Sequence, residues 1–184
     1  MTTEPTLEQI QDSISELLRA EEITTLATID ADGFPSASTM HLAGDGLLAY
    51  IHTFQYNRKH TQMLNNPKVS YVVSDLPADG YAGRGTTRSL QMQGLATAVT
   101  DPDEIQHAVQ LSFAQFPWLA DTSMYNNIKV PDQGQQVFYR ITPTRALWSD
   151  HTVRMLWRVL LDFSEDGREI TDVQDYKVAI GRKR

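Results

Sequence analysis

The chain has 184 residues, enough for one domain of ordinary size and too few for two large ones. Its 16 basic and 23 acidic residues give a net charge of -7, which argues against broad nucleic-acid or anionic-membrane binding but leaves room for a local basic pocket. There are no cysteines, so disulfides, thiolate metal sites and cysteine nucleophiles are excluded. The opening Met1-Thr2-Thr3-Glu4-Pro5 lacks the basic start and apolar run of a signal peptide. No apolar stretch approaches the roughly 20 residues that span a bilayer. A soluble, cytoplasmic protein is expected.

Residues 6 to 20 read as a helix. Thr6 caps it, Gln9 stands at capping-box spacing, and Ile10, Ile14, Leu17 and Leu18 share one face. Ile23 to Ile29 is a strand, rich in threonine and aliphatic residues. Asp30-Ala31-Asp32-Gly33 has hairpin chemistry, and Pro35 marks the start of a second strand. Gly44-Asp45-Gly46 turns the chain again, so three successive antiparallel strands are expected, the third running from Leu48 to Thr53.

A helix follows over Asn57 to Asn66, stopping before Pro67. Lys68 to Ser74 is a fourth strand and Leu76 to Thr87 an irregular loop. Ser89 to Val99 is a fifth strand, in which Gly94 marks a bulge or close backbone approach. Asp101-Pro102-Asp103-Glu104 opens another helix that runs towards Phe116-Pro117. Residues 117 to 134 form a second long connection, and Gln136 to Trp148 a sixth strand. Met155 to Phe163 fits a strand or a short helix, Ser164 to Arg168 a turn, and Ile170 to Ile180 a returning strand. Gly181 to Arg184 reads as a solvated tail. Six or more strands with two or three helices, neighbours joined by short turns, imply a mainly β (α+β) fold: an antiparallel barrel with flanking helices. The whole chain, 1–184, is expected to be a single domain, with 150–184 as an extension.

Arg58 and Lys59 sit where a helix begins. A helix start offers unpaired amide N–H groups and partial positive charge to an anion, and a guanidinium can grip two phosphate oxygens. Cations there oppose the helix dipole, a conflict that a bound phosphate removes. The five histidines, His41, His52, His60, His107 and His151, have no metal-ligand spacing, and no nucleophile elbow is present.

The run Asp-x-x-Gly-x-Pro, strand, turn, strand ending at Thr53, then Arg58-Lys59 and Asn65-Asn66-Pro67-x-Val69, resembles the pyridoxamine 5'-phosphate oxidase-like family. The resemblance is close over about residues 20 to 100 and looser at Gln136 to Trp148. It implies a split β-barrel that binds FMN between two subunits of a homodimer. Carried over, Arg58 and Lys59 match the basic pair on the flavin phosphate, and Asn57 a small polar position beside it. Thr53 matches a residue lining the flavin, with His52 in the usual place of an aromatic. Ser38, Thr39 and Met40 match the strand along the isoalloxazine ring, Ser38 standing where the family has arginine. Ser89 falls on the family's glutamine position, contributed by the other subunit, which makes Gln91 a candidate too. Trp148 loosely matches a flavin-proximal tryptophan.

The departures bear on the reaction. Ala43 replaces the lysine that holds the substrate phosphate, and the C-terminal arginine and histidine motif is not visible after Trp148. Pyridoxine phosphate is therefore not the expected substrate. The family also contains flavin reductases, enzymes of the deazaflavin F420 and haem-handling proteins. The resemblance implies an FMN-dependent oxidoreductase acting on a small molecule, with a non-catalytic flavin- or haem-binding protein or an F420-dependent reductase as alternatives.

Overall fold

The computed structural model describes residues 4–75, 77–123, 125 and 136–181. Helix α1, Leu7–Ala20, starts on the expected capping box: the Thr6 hydroxyl accepts the Gln9 N–H, and the Gln9 side chain accepts the Thr6 N–H. The strands are β1 (Ile23–Ile29), β2 (Pro35–His41), β3 (Ala43–Asp45), β4 (Leu48–Phe54) and β5 (Lys68–Ser74). They continue with β6 (Arg88–Ala98), β7 (Gln136–Asp150), β8 (Arg158–Phe163) and β9 (Ile170–Asp175). Between them lie α2 (Arg58–Asn65) and α3 (Pro102–Gln115), and α4 (Tyr176–Gly181) follows β9.

The strands make one nine-stranded antiparallel sheet in the order β2-β1-β5-β6-β7-β4-β3, with β8 and β9 added along β7. Its ends approach where β2 comes near β4, giving a split barrel. The expected run of three successive paired strands is corrected here. β2 pairs with β1, whereas β4 pairs with β3 and β7 at the other end of the order. The cause is local. The chain kinks at Leu42, whose N–H bonds the carbonyl of Glu22, so the Gly46 turn closes only the short β3–β4 hairpin. Register shifts in β6 at Gln93/Gly94, the bulge expected of that glycine; a Cβ there would lie 2.6 Å from the Thr142 carbonyl oxygen.

Inside the barrel, Leu26, Ile51, Tyr71, Met92, Tyr139 and Trp148 form the main core. A second core lies between α3 and the outer face of β4, built on Tyr50, Phe116, Leu119 and Phe138. The 76–87 loop contains a 3-10 helix at Gly80–Thr86, and another occupies Pro117–Asp121. Most of the rest of the expected 117–134 connection, and the tail at 182–184, lie outside the described residues. The Met155–Phe163 run is a strand from Arg158 onward. The run from Ile170 divides: it pairs as β9 to Asp175, then turns into α4, where the Asp175 carboxylate accepts the N–H groups of Lys177 and Val178.

Candidate functional site

Helix α2 is fastened to the barrel along its length. Met63 is buried, the Thr28 hydroxyl lies 2.6 Å from Gln62 Oε1, and the Tyr139 hydroxyl lies 2.9 Å from His60 Nδ1. Its first turn is therefore held in a fixed place. Asn57 stands at the N-cap but makes no side-chain cap bond; its amide instead donates to the Thr53 hydroxyl at 3.1 Å. The helix thus begins with no capping side chain, no acidic residue in its first turn, and Arg58 and Lys59 as its first two residues. An N-terminus of that kind suits an anion: free amide N–H groups, the dipole and two cations converge. The residues present fit a flavin phosphate, with Thr53, Asn57, Arg58 and Lys59 gathered at one point.

The other sequence-predicted residues are spread over the sheet. On β2, Ser38 pairs with Leu26 and Met40 with Thr24, which sets both on the barrel's inner face, while Thr39 points outward. His52, next to Thr53, faces the opposite side of β4. Its ring packs edge-on against Tyr125 at 5.1 Å and Phe138 at 5.9 Å, and the Tyr125 hydroxyl lies 3.2 Å from its Nδ1. Ser89 shares a hydrogen bond with Ser74 at 3.0 Å, and Gln91 is exposed on the outer face. Gln91 lies opposite Leu147, whereas Thr53 lies opposite Val137. Ten residues of β7 separate those registers, roughly 33 Å along the strand at about 3.3 Å per residue. Within one chain, Gln91 and Ser89 are remote from the cradle. Trp148 is 1% exposed, in the core between Leu90 and Val159.

Three features were not foreseen. Gln136 is buried at the start of β7, opposite Phe54 and beside the register of Thr53, and its Oε1 has no hydrogen-bond partner among the described residues. His41 also has a buried, unpartnered Nδ1, with its ring against Phe116 and Trp118. Tyr125 closes over His52. No sequence spacing marks these, because each depends on which strands meet across the barrel.

Burial lowers the His52 pKa from 6.5 to about 4, and His41 and Lys59 press the same way. The ring is neutral at neutral pH. Because the unfolded chain binds the proton more readily, this group's contribution to stability is full above about pH 6.5 and is lost as pH falls towards 4. His52→Phe is expected to shallow the acid limb of a stability–pH profile read from urea midpoints. An unchanged limb would show that His52 is not the group responsible.

A curled antiparallel sheet whose ends approach one another, flanked by helices, defines a split-barrel protein. The family model for pyridoxamine 5'-phosphate oxidase matches residues 10–147, well over half of the chain. The chain belongs to that family. No curated protein sequence matches it. Among solved structures, it resembles a haem-binding protein from Mycobacterium smegmatis, with TM-score 0.62 and 15% identity over 80% of this chain. It spans 55% of that protein's length. A FAD-binding protein from Mesorhizobium loti aligns with TM-score 0.51 and 22% identity, over 73% of this chain and 89% of the other. An F420 reductase aligns with TM-score 0.50 and 24% identity, over 72% and 94%. At these identities the likeness is one of fold. Among the described residues, no helix is long and apolar enough to cross a membrane, and no group of three or more histidines and carboxylates is placed to hold a metal ion.

Proposed function

We propose that the chain is an FMN-binding oxidoreductase acting on a small molecule. The observation that carries this reading is the turned-back Asn57 side chain, which leaves the start of α2 uncapped between Arg58 and Lys59. Bound flavin supplies hydride-transfer chemistry that no side chain can. The protein's part is to grip the phosphate at Arg58 and Lys59 and to hold Thr53 and Asn57 in register with it. Ala43, buried where the oxidase has its lysine, provides no charge for a substrate phosphate. A non-reactive flavin or haem carrier is the second reading. It is favoured by His52, which burial keeps neutral at neutral pH, so that the ring is no ready proton donor.

The site is completed by a second copy of the chain. The outer face of β1, β5 and β6 carries a groove of about 560 Å³, floored by Ala27, Ile29 and Leu95, and Val72 on that face is 43% exposed. Gln91 and Ser89 lie on the same face, too far along β7 to serve their own cradle. A two-fold pairing brings them to the partner's cradle and covers the apolar surface.

The purified protein is expected to be yellow, dimeric by light scattering, and to release about one FMN per subunit. Anaerobic addition of NADH, NADPH or reduced F420 should bleach the flavin band faster than free FMN is reduced. Flavin that binds but is reduced no faster by any of them points to the carrier reading. Protein that is colourless and takes up no added FMN sinks both flavin readings, and a haem spectrum in its place selects the haem one.

A further inference from the structure

A cleft of about 360 Å³ runs between α2 and the β1–β2 turn, lined by Asp30, Tyr56, Arg58, Thr61, Gln62 and Asn65. The four α2 residues follow the spacing of a single helix face. Arg58 belongs to both places: it stands at the uncapped helix start and also at the mouth of this cleft. Tyr56 is 72% exposed, unusual for so large a ring, and it is not loose. Phe54 stacks under it, with centroids 5.2 Å apart and planes 14° apart. At the other wall, Asp30 is fixed by accepting the N–H groups of Asp32 and Phe34 through Oδ1. Gln62 Oε1 is occupied by Thr28, which turns its acceptor inward and leaves the amide N–H groups as its donors.

We propose that this cleft takes the adenosine monophosphate half of a dinucleotide; the inference rests on the flavin reading of the adjoining cradle. The Tyr56 ring is a supported platform for a base. Asn65 offers the edge of adenine both a donor and an acceptor, Gln62 can donate to a ring nitrogen through its free amide N–H groups, and the Asp30 carboxylate accepts hydrogen bonds from a ribose diol. Arg58, at the mouth of the cleft, meets the adenylate phosphate with a guanidinium that can grip two of its oxygens. From Arg58 to Asn65 is about 10 Å along the helix, comparable with the length of a nucleoside monophosphate. The adenylate belongs either to FAD, continuing the flavin, or to a nicotinamide dinucleotide that reduces it.

Titration separates these sources. FMN and FAD are titrated into apoprotein; NADH and AMP are titrated into FMN-loaded protein. If the adenylate is the flavin's, FAD binds about tenfold or more tightly than FMN, and Tyr56→Ala or Asn65→Ala brings the ratio to about one. If it is the reductant's, NADH and AMP bind the FMN-loaded protein, and each is weakened about tenfold by the same substitutions. Tyr56→Phe retains the effect in either case, because the ring stays. The inference is overturned if FAD gains nothing over FMN and neither NADH nor AMP distinguishes wild type from Tyr56→Ala. FMN affinity tests the flavin reading separately: if FMN itself fails to bind, AMP titrated into the apoprotein decides the cleft alone.

Discussion

Replacing Arg58 and Lys59 together with alanine is expected to weaken FMN binding by at least about a hundredfold while leaving the fold intact. Hydrogen bonds to charged groups contribute about 1.5–3 kcal/mol each, and the loss of two such partners exceeds the roughly 2.7 kcal/mol that corresponds to a hundredfold. The apoprotein should not suffer. Arg58 is exposed, neither side chain has an ion-pair partner among the described residues, and two cations at a helix start oppose its dipole. Removing them is expected to leave the apoprotein's urea midpoint unchanged or slightly raised. Affinity is read by quenching of flavin fluorescence and the fold by circular dichroism. A folded double variant that still binds FMN with wild-type affinity would place the phosphate elsewhere. Loss of stability in the apoprotein would instead mark the pair as structural.

Much of the fold is legible in the sequence, because short-range chemistry decides it. The Thr6–Gln9 box, the Asp30–Gly33 turn and the Asp101-Pro102 helix start each depend on residues close together in the chain. The cradle is local too, since Thr53 to Lys59 spans one strand end and one helix start. What was not legible depends on encounters between distant segments. β2 was expected beside β4, yet nothing near Leu42 announces that β2 belongs to the opposite end of the strand order. The buried Nδ1 of His41 and Oε1 of Gln136 become notable only once the barrel closes. Trp148 stands in β7 as expected, and its ring lies in the core. The end of β9 carries a local signal in the sequence. Asp175 is a helix cap ahead of Tyr176-Lys177-Val178, and an aspartate in that place ends a strand as readily as it starts a helix.

The largest stability effect is expected at Gln115, the last residue of α3. Its Nε2 lies 3.0 Å from the carbonyl oxygen of Leu18 and 2.9 Å from those of Glu21 and Leu42, and its Oε1 accepts the Gly44 N–H at 3.0 Å. One amide thus ties α3 to the end of α1 and to the junction between β2 and β3. Two N–H groups serve three carbonyls, so at least one bond is shared. The junction cannot move away to find other partners, because Gly44 is packed so tightly on α1 that a Cβ there would lie 2.9 Å from the Leu18 backbone. Gln115→Leu keeps the bulk and removes every bond. Each buried group left without a partner costs about 1–3 kcal/mol, less where water reaches a carbonyl, so a loss of about 3 kcal/mol is expected. For a chain of this size that lowers Tm by roughly 6–12 °C. Gln115→Glu is the sharper test. It preserves the acceptor for Gly44 but sets a carboxylate against three carbonyl oxygens, so at neutral pH it should be at least as destabilising as leucine. Acidification should then restore part of the loss, since a protonated carboxyl regains one donor. A leucine variant within about 0.5 kcal/mol of wild type, the range of an ordinary surface substitution, would show that the four bonds do not hold this corner of the barrel together.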